Sequence, residues 1–344
     1  MIKAIDFFCG AGGLTRGLLD ASIKVLAGID NDKRLQDTYE KNNCPSKFYP
    51  IKIEDVDIFG LREELGITEQ DKVLYAACTP CQPFSHLNKQ KDKGKKRELL
   101  LAFGEIVEKC PPDFILIENV PGLKNAYGKE IYEIFLGIIE SVGFIPDYRY
   151  SEFLDANNFD VPQVRKRFIL LASKHGELVE PQESDEKLTV GSVLKKYPAI
   201  RNGGKSKKFK NHEARKLPSN HIRIIEAVRK DGGNRADIED QSILLPCHRN
   251  KPKTYKDVFS RMAWDRPSPT MTARCTEVAN GRFAHPTQNR AISYREAAAL
   301  QSFGDDYVFY GSNFHIGQQI GNAVPPKFAQ KLGEAIVNTY LTLD

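Results

Sequence analysis

The chain of 344 residues is 41% hydrophobic and 28% charged, which is typical of a globular protein with one large domain or two. The amino terminus lacks the apolar core of a signal peptide, and no run approaches the roughly 20 apolar residues of a membrane span. Seven cysteines indicate free thiols in a reducing compartment, so we expect a cytosolic protein, or a nuclear one if the source is eukaryotic, with no membrane partner.

The charge is unevenly distributed along the chain. The net charge is only +5, but residues 195–261 contain 18 Lys and Arg against 7 Asp and Glu, whereas the rest contains 32 basic and 38 acidic residues. A solvated lysine-rich face would explain a single basic run. A long basic segment that also contains Asn, Gln, His and Tyr is more typical of a surface that binds a polyanion.

The amino-terminal pattern predicts a strand, a glycine-rich turn and a helix. Residues 2–8 favour a β-strand, the turn contains Gly10 and Gly12, and leucines repeat on one face of the following helix. A second strand ends at Asp30, where a carboxylate accepts hydrogen bonds from ribose hydroxyls in Rossmann-like sites. The Gly-Ala-Gly-Gly turn departs from the spaced dinucleotide pattern, which favours S-adenosylmethionine over NAD as the ligand.

The stretch from Cys78 to Pro83 presents a thiol at the end of another strand. Residues 73–77 are apolar and predict a buried strand. The strand stops at a rigid turn, because Pro80 and Pro83 fix their own φ and disfavour helical backbone in the residues before them. Cys81 is therefore expected at the carboxyl edge of the sheet, where ligands bind in α/β folds.

The residues of this stretch leave several interpretations open. Cys81 could be a nucleophile, an ordinary buried cysteine, half of a redox pair with Cys78, or part of a zinc site. Zinc would need two more ligands at similar spacing, and the other cysteines form no second pair, so we predict no metal site. A redox pair usually opens a helix, which Pro83 disfavours.

A second reactive group follows at an equivalent position. After a basic loop at residues 89–97, the pattern predicts a helix over residues 98–109 and a strand over residues 114–117 that ends at Glu118. Two reactive groups at the carboxyl ends of strands can face one pocket, so Glu118 and Cys81 are candidates for a shared site. A plain capping carboxylate is the alternative.

The next elements complete an α/β pattern and introduce two arginines. A helix is predicted over residues 130–142, with strands near 148–154 and 168–172. Arg165 and Arg167 alternate along the extended segment before the last strand, so we expect both on one face, as a phosphate or backbone clamp or as surface charge. The alternation of strands and helices predicts a mostly parallel sheet.

The carboxyl-terminal half is less regular. From about residue 191 to 272 the periodicity is weak and loops are predicted. A helix over residues 293–301 follows, with Ser293 as its cap and Glu296 at the third helical position. A final amphipathic helix is expected after residues 317–326.

Seven motifs resemble, in the same order, those of the DNA (cytosine-5)-methyltransferases of bacterial restriction–modification systems. They are DFFCGAGG (residues 6–13), GIDND (28–32), TPCQPFS (79–85), ENV (118–120), QVRKR (163–167), RPSPTMT (266–272) and GQQIGNAVPP (317–326). One such motif would be weak evidence, but seven in order over nearly the whole chain are specific.

The resemblance implies an α/β fold with two domains. A Rossmann-like S-adenosylmethionine-dependent methyltransferase domain with a mostly parallel sheet is expected at residues 1–185. A small, irregular target-recognition domain is expected at residues 186–290, and residues 291–344 are expected to form a hinge and return to the catalytic domain. The basic segment falls inside the expected recognition domain.

The activity that the resemblance implies is sequence-specific methylation of DNA at cytosine C5, with the target base flipped out of the duplex. Cys81 is expected to attack C6 as a thiolate, and Glu118 to hold N3 and supply a proton or hydrogen bond there. Arg165 resembles the family's arginine near the cytosine O2. Arg167 is expected to support the site or the cysteine, and Gln82 is grouped with the catalytic residues.

The resemblance also implies a cofactor site for S-adenosylmethionine. It comprises the glycine turn, a carboxylate at the ribose, an acidic residue near the adenine after a third strand predicted over residues 49–53, and a residue of the last motif. These are Phe8, Gly10, Gly12, Asp30, Glu54 or Asp55, and Asn322. Many relatives have Glu at the position of Asp30, and some have an aromatic residue at that of Asn31. Cys78 is expected to be structural.

The expected partner is double-stranded DNA, bound by a monomer that acts beside a cognate restriction endonuclease. The alternatives are a tRNA cytosine-5 methyltransferase of the same architecture, a non-catalytic DNA-binding homologue, and a thiol redox enzyme. No pattern in the sequence encodes the target site. Residues that are candidates for base contacts are Asn211, His212, Arg215, Arg249, Asn250 and Lys253.

Overall fold

The computed structural model describes residues 1–80, 98–124, 128–249 and 255–343, and in it the chain forms two compact units. The first unit consists of Met1–Phe159, Lys166–Glu183 and Val324–Asp344. The second unit consists of Asp160–Arg165 and Ser184–Ala323. Both ends of the chain therefore belong to the first unit.

A seven-stranded sheet is the centre of the first unit. Its strands are β1 (Ile2–Phe7), β2 (Lys24–Ile29), β3 (Lys47–Tyr49), β4 (Lys72–Ala77), β5 (Phe114–Asn119), β6 (Arg149–Asp155) and β7 (Lys166–Ser173). Their order across the sheet is β3-β2-β1-β4-β5-β7-β6. The first five of these are parallel, and β7 runs antiparallel to both β5 and β6. The predicted α/β fold with a mostly parallel sheet is confirmed.

The helices of the described residues follow the strands in chain order. They are α1 (Gly13–Asp20), α2 (Gln36–Asn42), α3 (Ile58–Glu64), α4 (Glu98–Lys109), α5 (Lys129–Ser141), α6 (Val190–Leu194), α7 (Ser219–Ala227), α8 (Pro246–Arg249), α9 (Tyr294–Leu300), α10 (Asn313–Asn322) and α11 (Pro326–Leu341). The first five and the last belong to the first unit. Among the described residues, no helix combines the length and apolar character needed to cross a bilayer.

The central strands are apolar because both faces of the sheet are covered. In β4 and β5 nearly every residue is buried, including Tyr75 and Phe114. Phe7 of β1 packs edge-on against Tyr75 and against Phe103 of α4, with ring centroids 5.3 and 5.2 Å apart. Continuous apolar runs of this kind are characteristic of parallel strands between two helical layers.

The third strand differs from its prediction. The structure pairs Lys47–Tyr49 with β2, whereas the predicted residues 49–53 mostly lie beyond the strand. Pro50 has no N–H to donate to the ladder, so strand pairing ends at Tyr49. Residues Ile53–Asp55 form a turn of 3₁₀-helix instead. The prediction of the helices that became α4 and α5 was accurate to one residue at each end.

Helix α1 packs closely against α11, which joins the two ends of the chain. A Cβ atom added to Gly17 would overlap the Pro326 carbonyl oxygen and the Ala329 side chain, and would lie 2.6 Å from the Gln330 nitrogen. The absence of a side chain at Gly17 is therefore what allows the backbones of the two helices to approach each other.

The second unit contains little regular structure. Helices α6 to α10 are short and are linked by loops, and the β-pairing within this unit's described residues consists of isolated bridges. The predicted cap of α9 is confirmed, because Ser293 and Glu296 form a reciprocal capping box. A small apolar cluster supports the unit. It contains Leu217, Ile224, Ile225, Val228, Ile238, Leu244, Phe259, Val278, Ala284 and Ala291.

Buried arginines supply hydrogen bonds that a sheet would otherwise provide. Arg261 is fully buried, and its guanidinium donates to the carbonyl oxygens of Ile225, Val228, His285 and Gln288 at 2.7 to 3.2 Å. Burial lowers the pKa of this guanidinium to about 10. Carbonyl oxygens at the carboxyl end of a helix or in a loop must be satisfied in some other way, and Arg261 binds two at the end of α7 and two in the loop that contains His285.

Arg290 and Glu296 form a buried ion pair in the second unit. Arg290 donates to both carboxylate oxygens of Glu296, at 2.7 and 2.8 Å. Burial opposes ionisation of Glu296, but Arg290 outweighs it and lowers the pKa to about 2. Burial lowers the pKa of His285 to about 4. Glu296 acts in the opposite direction and raises this pKa, whereas the positive charges of Arg290 and Arg261 lower it further. Nδ1 of His285 accepts from two backbone N–H groups, which suits the neutral ring.

The α1–α11 contact predicts the effect of adding one methyl group. Gly17→Ala is expected to lower the free energy of unfolding by about 1–3 kcal/mol, because backbone atoms must move to accept the methyl group. Gly137→Ala on α5 is the matched control, since no atom lies within 4 Å of its added Cβ. It should raise the free energy of unfolding by up to about 1 kcal/mol. Urea unfolding checks both; equal effects of the two substitutions would contradict the close packing.

The neutral His285 predicts an acid-sensitive second unit. Its pKa is lower in the folded than in the unfolded protein, so its stabilising contribution is complete above about pH 6.5 and is lost as the pH falls toward about 4. His285→Gln should remove up to about 3 kcal/mol of this acid dependence. Trp264, the single tryptophan, packs 5.3 Å from the His285 ring, so its fluorescence reports the transition. The same pH slope in both proteins would contradict the assignment.

Candidate active site

The turn after β1 brings backbone atoms to the carboxyl edge of the sheet. Phe8, Gly10 and Gly12 have positive φ of 59°, 55° and 86°, and Gly12 N–H donates to Cys9 O at 2.9 Å. Gly12 caps α1, whose first residue is Gly13. An added Cβ at Gly10 would meet no atom within 4 Å, so the positive φ is what requires glycine there.

Asp30 lies directly after β2 and is tied to this turn. Its Oδ2 accepts from Gly10 N–H at 3.1 Å, and its Oδ1 accepts from Asp32 N–H at 3.0 Å. Burial raises the pKa of Asp30, and the two backbone hydrogen bonds oppose the shift. The structure thus brings together the glycine turn and the carboxylate that the sequence separates by 20 residues.

A cavity of about 470 Å³ opens beside these residues. It is lined by Phe8, Ile29, Asp30, Asn31, Ile51, Lys52, Ile53, Glu54, Pro80 and Leu99. Of the two acidic residues predicted near the adenine, Glu54 lines the cavity; Asp55 is exposed next to it. The predictions missed Ile51, Lys52 and Leu99, whose apolar or lysine side chains give no sequence signal for a ligand.

A series of buried side-chain hydrogen bonds lies next to the glycine turn. Asp6 Oδ2 accepts from Thr15 Oγ1 at 2.6 Å, Thr15 Oγ1 lies 2.9 Å from Tyr39 Oη, and Tyr39 Oη lies 2.8 Å from Ser46 Oγ. Burial raises the pKa of Asp6 to about 7, against hydrogen bonds from Thr15. Asp6 was not among the predicted site residues, although an acidic residue inside an apolar strand indicates a buried polar contact.

Glu118 is the reactive group with the most ordered surroundings. It is 2% exposed near the carboxyl end of β5. Its Oε2 accepts from the thiol of Cys78 at 3.1 Å, and its Oε1 lies 2.8 Å from Arg167 Nε as an ion pair. Within the described residues Oε1 has no hydrogen-bond partner. One carboxylate oxygen is therefore held by a donor, and the other has acceptor capacity left.

The turn after β4 is fixed to its neighbours on both sides. Cys78 N–H donates to Phe7 O at 3.2 Å, which continues the β1–β4 ladder. Asn119 Nδ2 donates to Thr79 Oγ1 at 2.6 Å, and Asn119 is fully buried. Residues 78–80 thus reach the same edge as Glu118. Cys81 and Gln82, both predicted as catalytic, lie outside the described residues.

The two arginines of the QVRKR motif have different partners. Arg167, in β7, forms the ion pair with Glu118. Arg165 belongs to the second unit and is buried; its guanidinium donates to the carbonyl oxygens of Met271 and Ala323 at 3.0 Å and of Gly321 at 3.4 Å. These contacts do not form the expected clamp, in which both arginines lie on one face. Arg165 instead ties the motif to residues 266–272 and 317–326.

The second unit contains the remaining predicted residues. Asn322 is exposed at the end of α10. The base-contact prediction is wrong for two residues: His212 is buried and hydrogen-bonded to Ser293 Oγ and Pro198 O, and Asn211 bonds to the backbone of Phe309. Both were chosen for polarity alone, which does not distinguish internal from surface contacts. Residues 250 and 253 lie outside the described ranges.

Arg215, another predicted base-contact residue, lies on a concave surface. It pairs with Glu277, to which Arg274 also lies close, 3.7 Å away. These residues line a cavity of about 640 Å³ in the second unit, with the exposed Phe314 at its side. Arg249, by contrast, donates to the carbonyl oxygens of Leu244 and Ser242.

Comparison with known proteins agrees with this geometry. The model of the C-5 cytosine-specific DNA methylase family matches residues 2–338. The Type II methylase M.HgiDII of Herpetosiphon aurantiacus is 35% identical, over 96% of this chain and 94% of its own length. The Type II methyltransferase M1.HphI of Haemophilus parahaemolyticus is 32% identical, over 97% of this chain and 86% of its own.

The fold has solved counterparts as well. A prophage-encoded protein of E. coli, described as a DNA modification methyltransferase, superposes with a TM-score of 0.72 at 20% identity, covering 99% of this chain and 100% of its own. At that identity the likeness concerns the fold. Since the family model spans nearly the whole chain and close relatives match it end to end, this protein belongs to the C-5 cytosine-specific DNA methylases, the S-adenosylmethionine-dependent enzymes that methylate DNA at cytosine C5.

Proposed function

We propose that this enzyme is the modification methyltransferase of a Type II restriction–modification system. Its relatives M.HgiDII and M1.HphI are Type II enzymes, and they match nearly the whole chain. We further propose that it acts as a monomer in the bacterial cytoplasm, and that a cognate restriction endonuclease cuts the unmodified site.

The two units are proposed to divide the work. The first contains the glycine turn, Asp30 and Glu118, and is proposed as the catalytic domain. The second contains the basic segment of residues 195–261 and is proposed to carry target recognition. Arg215 and Arg274, at the cavity in that unit, are proposed as DNA contacts because both guanidinium groups are half-exposed and pre-oriented by Glu277.

The environment of Glu118 is the observation that carries the proposed mechanism. Attack of a thiolate at cytosine C6 moves electron density toward N3 of the ring. A proton held between N3 and Glu118 Oε1 keeps that charge from accumulating. Oε1 is suited to this role because it is buried and lacks another hydrogen bond in the described structure, while Oε2 is already held.

Cys81 is proposed as the nucleophile and Gln82 as its catalytic neighbour. The support is the position of residues 78–80, which precede Cys81 in the sequence and are held by hydrogen bonds at the edge where Glu118 lies. After methyl transfer, loss of the C5 proton allows the bond between Sγ and C6 to break and releases the enzyme. The target base must be flipped out, because C6 is unreachable inside a duplex.

The contacts of the two arginines support a division of roles opposite to the one predicted from the sequence. N3 and O2 are neighbouring positions on the cytosine ring, so a group beside the carboxylate that holds N3 is placed to donate to O2. Arg167 is beside Glu118 and is proposed for that role. Arg165, whose donors bind backbone carbonyls, is proposed as a positioning residue of the second unit.

The residues at the first cavity fit S-adenosylmethionine. Its volume of about 470 Å³ is in the usual range for small-molecule sites, and its lining combines apolar isoleucine side chains, suited to the adenine ring, with two carboxylates that can accept hydrogen bonds. Bound there, the cofactor supplies the methyl group for C5. Asp30 is proposed at the ribose hydroxyls, and Glu54 rather than Asp55 near the adenine.

The glycine turn and the last motif are the remaining proposed cofactor contacts. Phe8 lines the cavity, and Gly10 and Gly12 are proposed to approach the cofactor with their backbone, which their positive φ exposes. Asn322 is proposed on its motif alone.

The proposed activity predicts methyl transfer to one short sequence motif. Purified enzyme with methyl-labelled S-adenosylmethionine should label duplex DNA, and bisulfite sequencing should place 5-methylcytosine at that motif. Cys81→Ser should reduce the turnover by at least about a thousandfold, because the hydroxyl is a far weaker nucleophile than a thiolate. Labelling of tRNA in place of DNA, or random cytosine methylation, would contradict the proposal.

The proposed ribose contact predicts a selective effect on the cofactor. Asp30→Asn should raise KM for S-adenosylmethionine about 10- to 100-fold, because an amide replaces a carboxylate that accepts hydrogen bonds. The KM for DNA should stay within twofold. The matched control is Asp37→Asn on the exposed face of α2, where the side chain pairs with Lys41 at 2.9 Å. Equal KM values for the two variants would rule out the ribose assignment.

A further inference from the structure

Cys78 has a defined position at the reaction edge of the first unit. It follows β4 directly, and its N–H donates to Phe7 O at 3.2 Å, so its backbone is fixed by β1. The side chain is half-buried and the residue lies three positions before Cys81. The fixed backbone limits the positions that the thiol can reach.

The partner of the thiol is the carboxylate of Glu118. Cys78 Sγ lies 3.1 Å from Oε2, on the opposite oxygen from the one that faces Arg167. A carboxylate that is 2% exposed must be stabilised by the protein, and the described structure provides the Cys78 thiol as a donor to Oε2 and the Arg167 guanidinium as an ion-pair partner of Oε1. The position of Oε1 depends on what holds Oε2, since both oxygens belong to one rigid group.

The other cysteines of the described residues have different surroundings. The thiols of Cys9 and Cys275 lie 3.8 and 3.9 Å from backbone carbonyl oxygens. Cys110 accepts from Arg62 Nη1 at 3.0 Å, near the amino ends of the strands. Packing alone would explain a buried cysteine of that kind. It does not explain a thiol directed at the one carboxylate that the proposed mechanism uses.

We propose that Cys78 is a positioning residue for methyl transfer, which donates its thiol hydrogen to Glu118 Oε2 and so directs Oε1 to cytosine N3. The inference rests on the proposed role of Glu118. It replaces the expectation that Cys78 is structural. The thiol does not touch the substrate in this role; it acts through Glu118, and any small donor at the same position should replace it.

Two substitutions separate positioning from packing. Cys78→Ala removes the donor and should lower kcat about tenfold, the lower end for a hydrogen bond to a charged group because a thiol is a weak donor. KM for S-adenosylmethionine and for DNA should remain within twofold. Cys78→Ser restores a donor and should return kcat to within about threefold of the wild type. Cys110→Ala is the matched control, a half-buried cysteine with a polar partner, and should leave kcat unchanged.

A double-mutant cycle with Glu118→Gln tests whether Cys78 acts through the carboxylate. In the Glu118→Gln background, Cys78→Ala should change kcat by less than about twofold, because the charge that the thiol orients is already gone. Single-turnover labelling of DNA measures the slow variants, and thermal unfolding of each establishes that it is folded.

Three results would overturn the inference: a Cys78→Ala enzyme as fast as the wild type, a Cys78→Ser enzyme as slow as Cys78→Ala, or a full tenfold loss in the Glu118→Gln background. Absence of methyl transfer by the wild type is a distinct result. It would count against the proposed function, and thereby against the premise on which the inference rests.

Discussion

The parallel alignment of β1, β2, β4 and β5 is the constraint on which the site depends. Parallel strands that start at one edge of a sheet must all end at the other. The glycine turn, Asp30, Cys78 and Glu118 come from four separate parts of the sequence, yet each is near the end of one of these strands. Their proximity follows from strand direction, and the apolar burial of both sheet faces holds that direction in place.

Burial of a carboxylate sets the second constraint. Glu118 is enclosed by apolar strands, so its charge must be met by protein donors. Arg167 reaches it because β7 runs antiparallel to β5 and places its amino end beside the carboxyl end of β5. The antiparallel strand therefore serves the chemistry as well as the architecture, since a parallel β7 would start at the opposite edge of the sheet.

The second unit is organised on a different principle. It has few strand pairs, and fully buried arginines bind its loop carbonyls and one carboxylate. Two arginines of the basic segment, Arg235 and Arg261, are buried in this way. Part of the charge excess in residues 195–261 is thus internal, and the surface proposed to meet DNA is less basic than the composition suggests.

The sequence by itself determined the family, the strand–turn–helix opening and most element boundaries, and it singled out Glu118 and Asp30 as the residues proposed for the site. These depend on local patterns: hydrophobic period, glycine and proline positions, and motif order. Only the tertiary structure decided which arginine meets Glu118, that Cys78 holds its other oxygen, that Asp6 is buried, and that His212 is internal. The contacts of Glu118 with Cys78 and Arg167 and of His212 with Ser293 join residues 40 or more positions apart, and the Arg167 contact depends on an antiparallel strand that no local pattern specifies. The sequence gives the chemical type of each side chain, but the packing of distant segments determines which partner that side chain contacts.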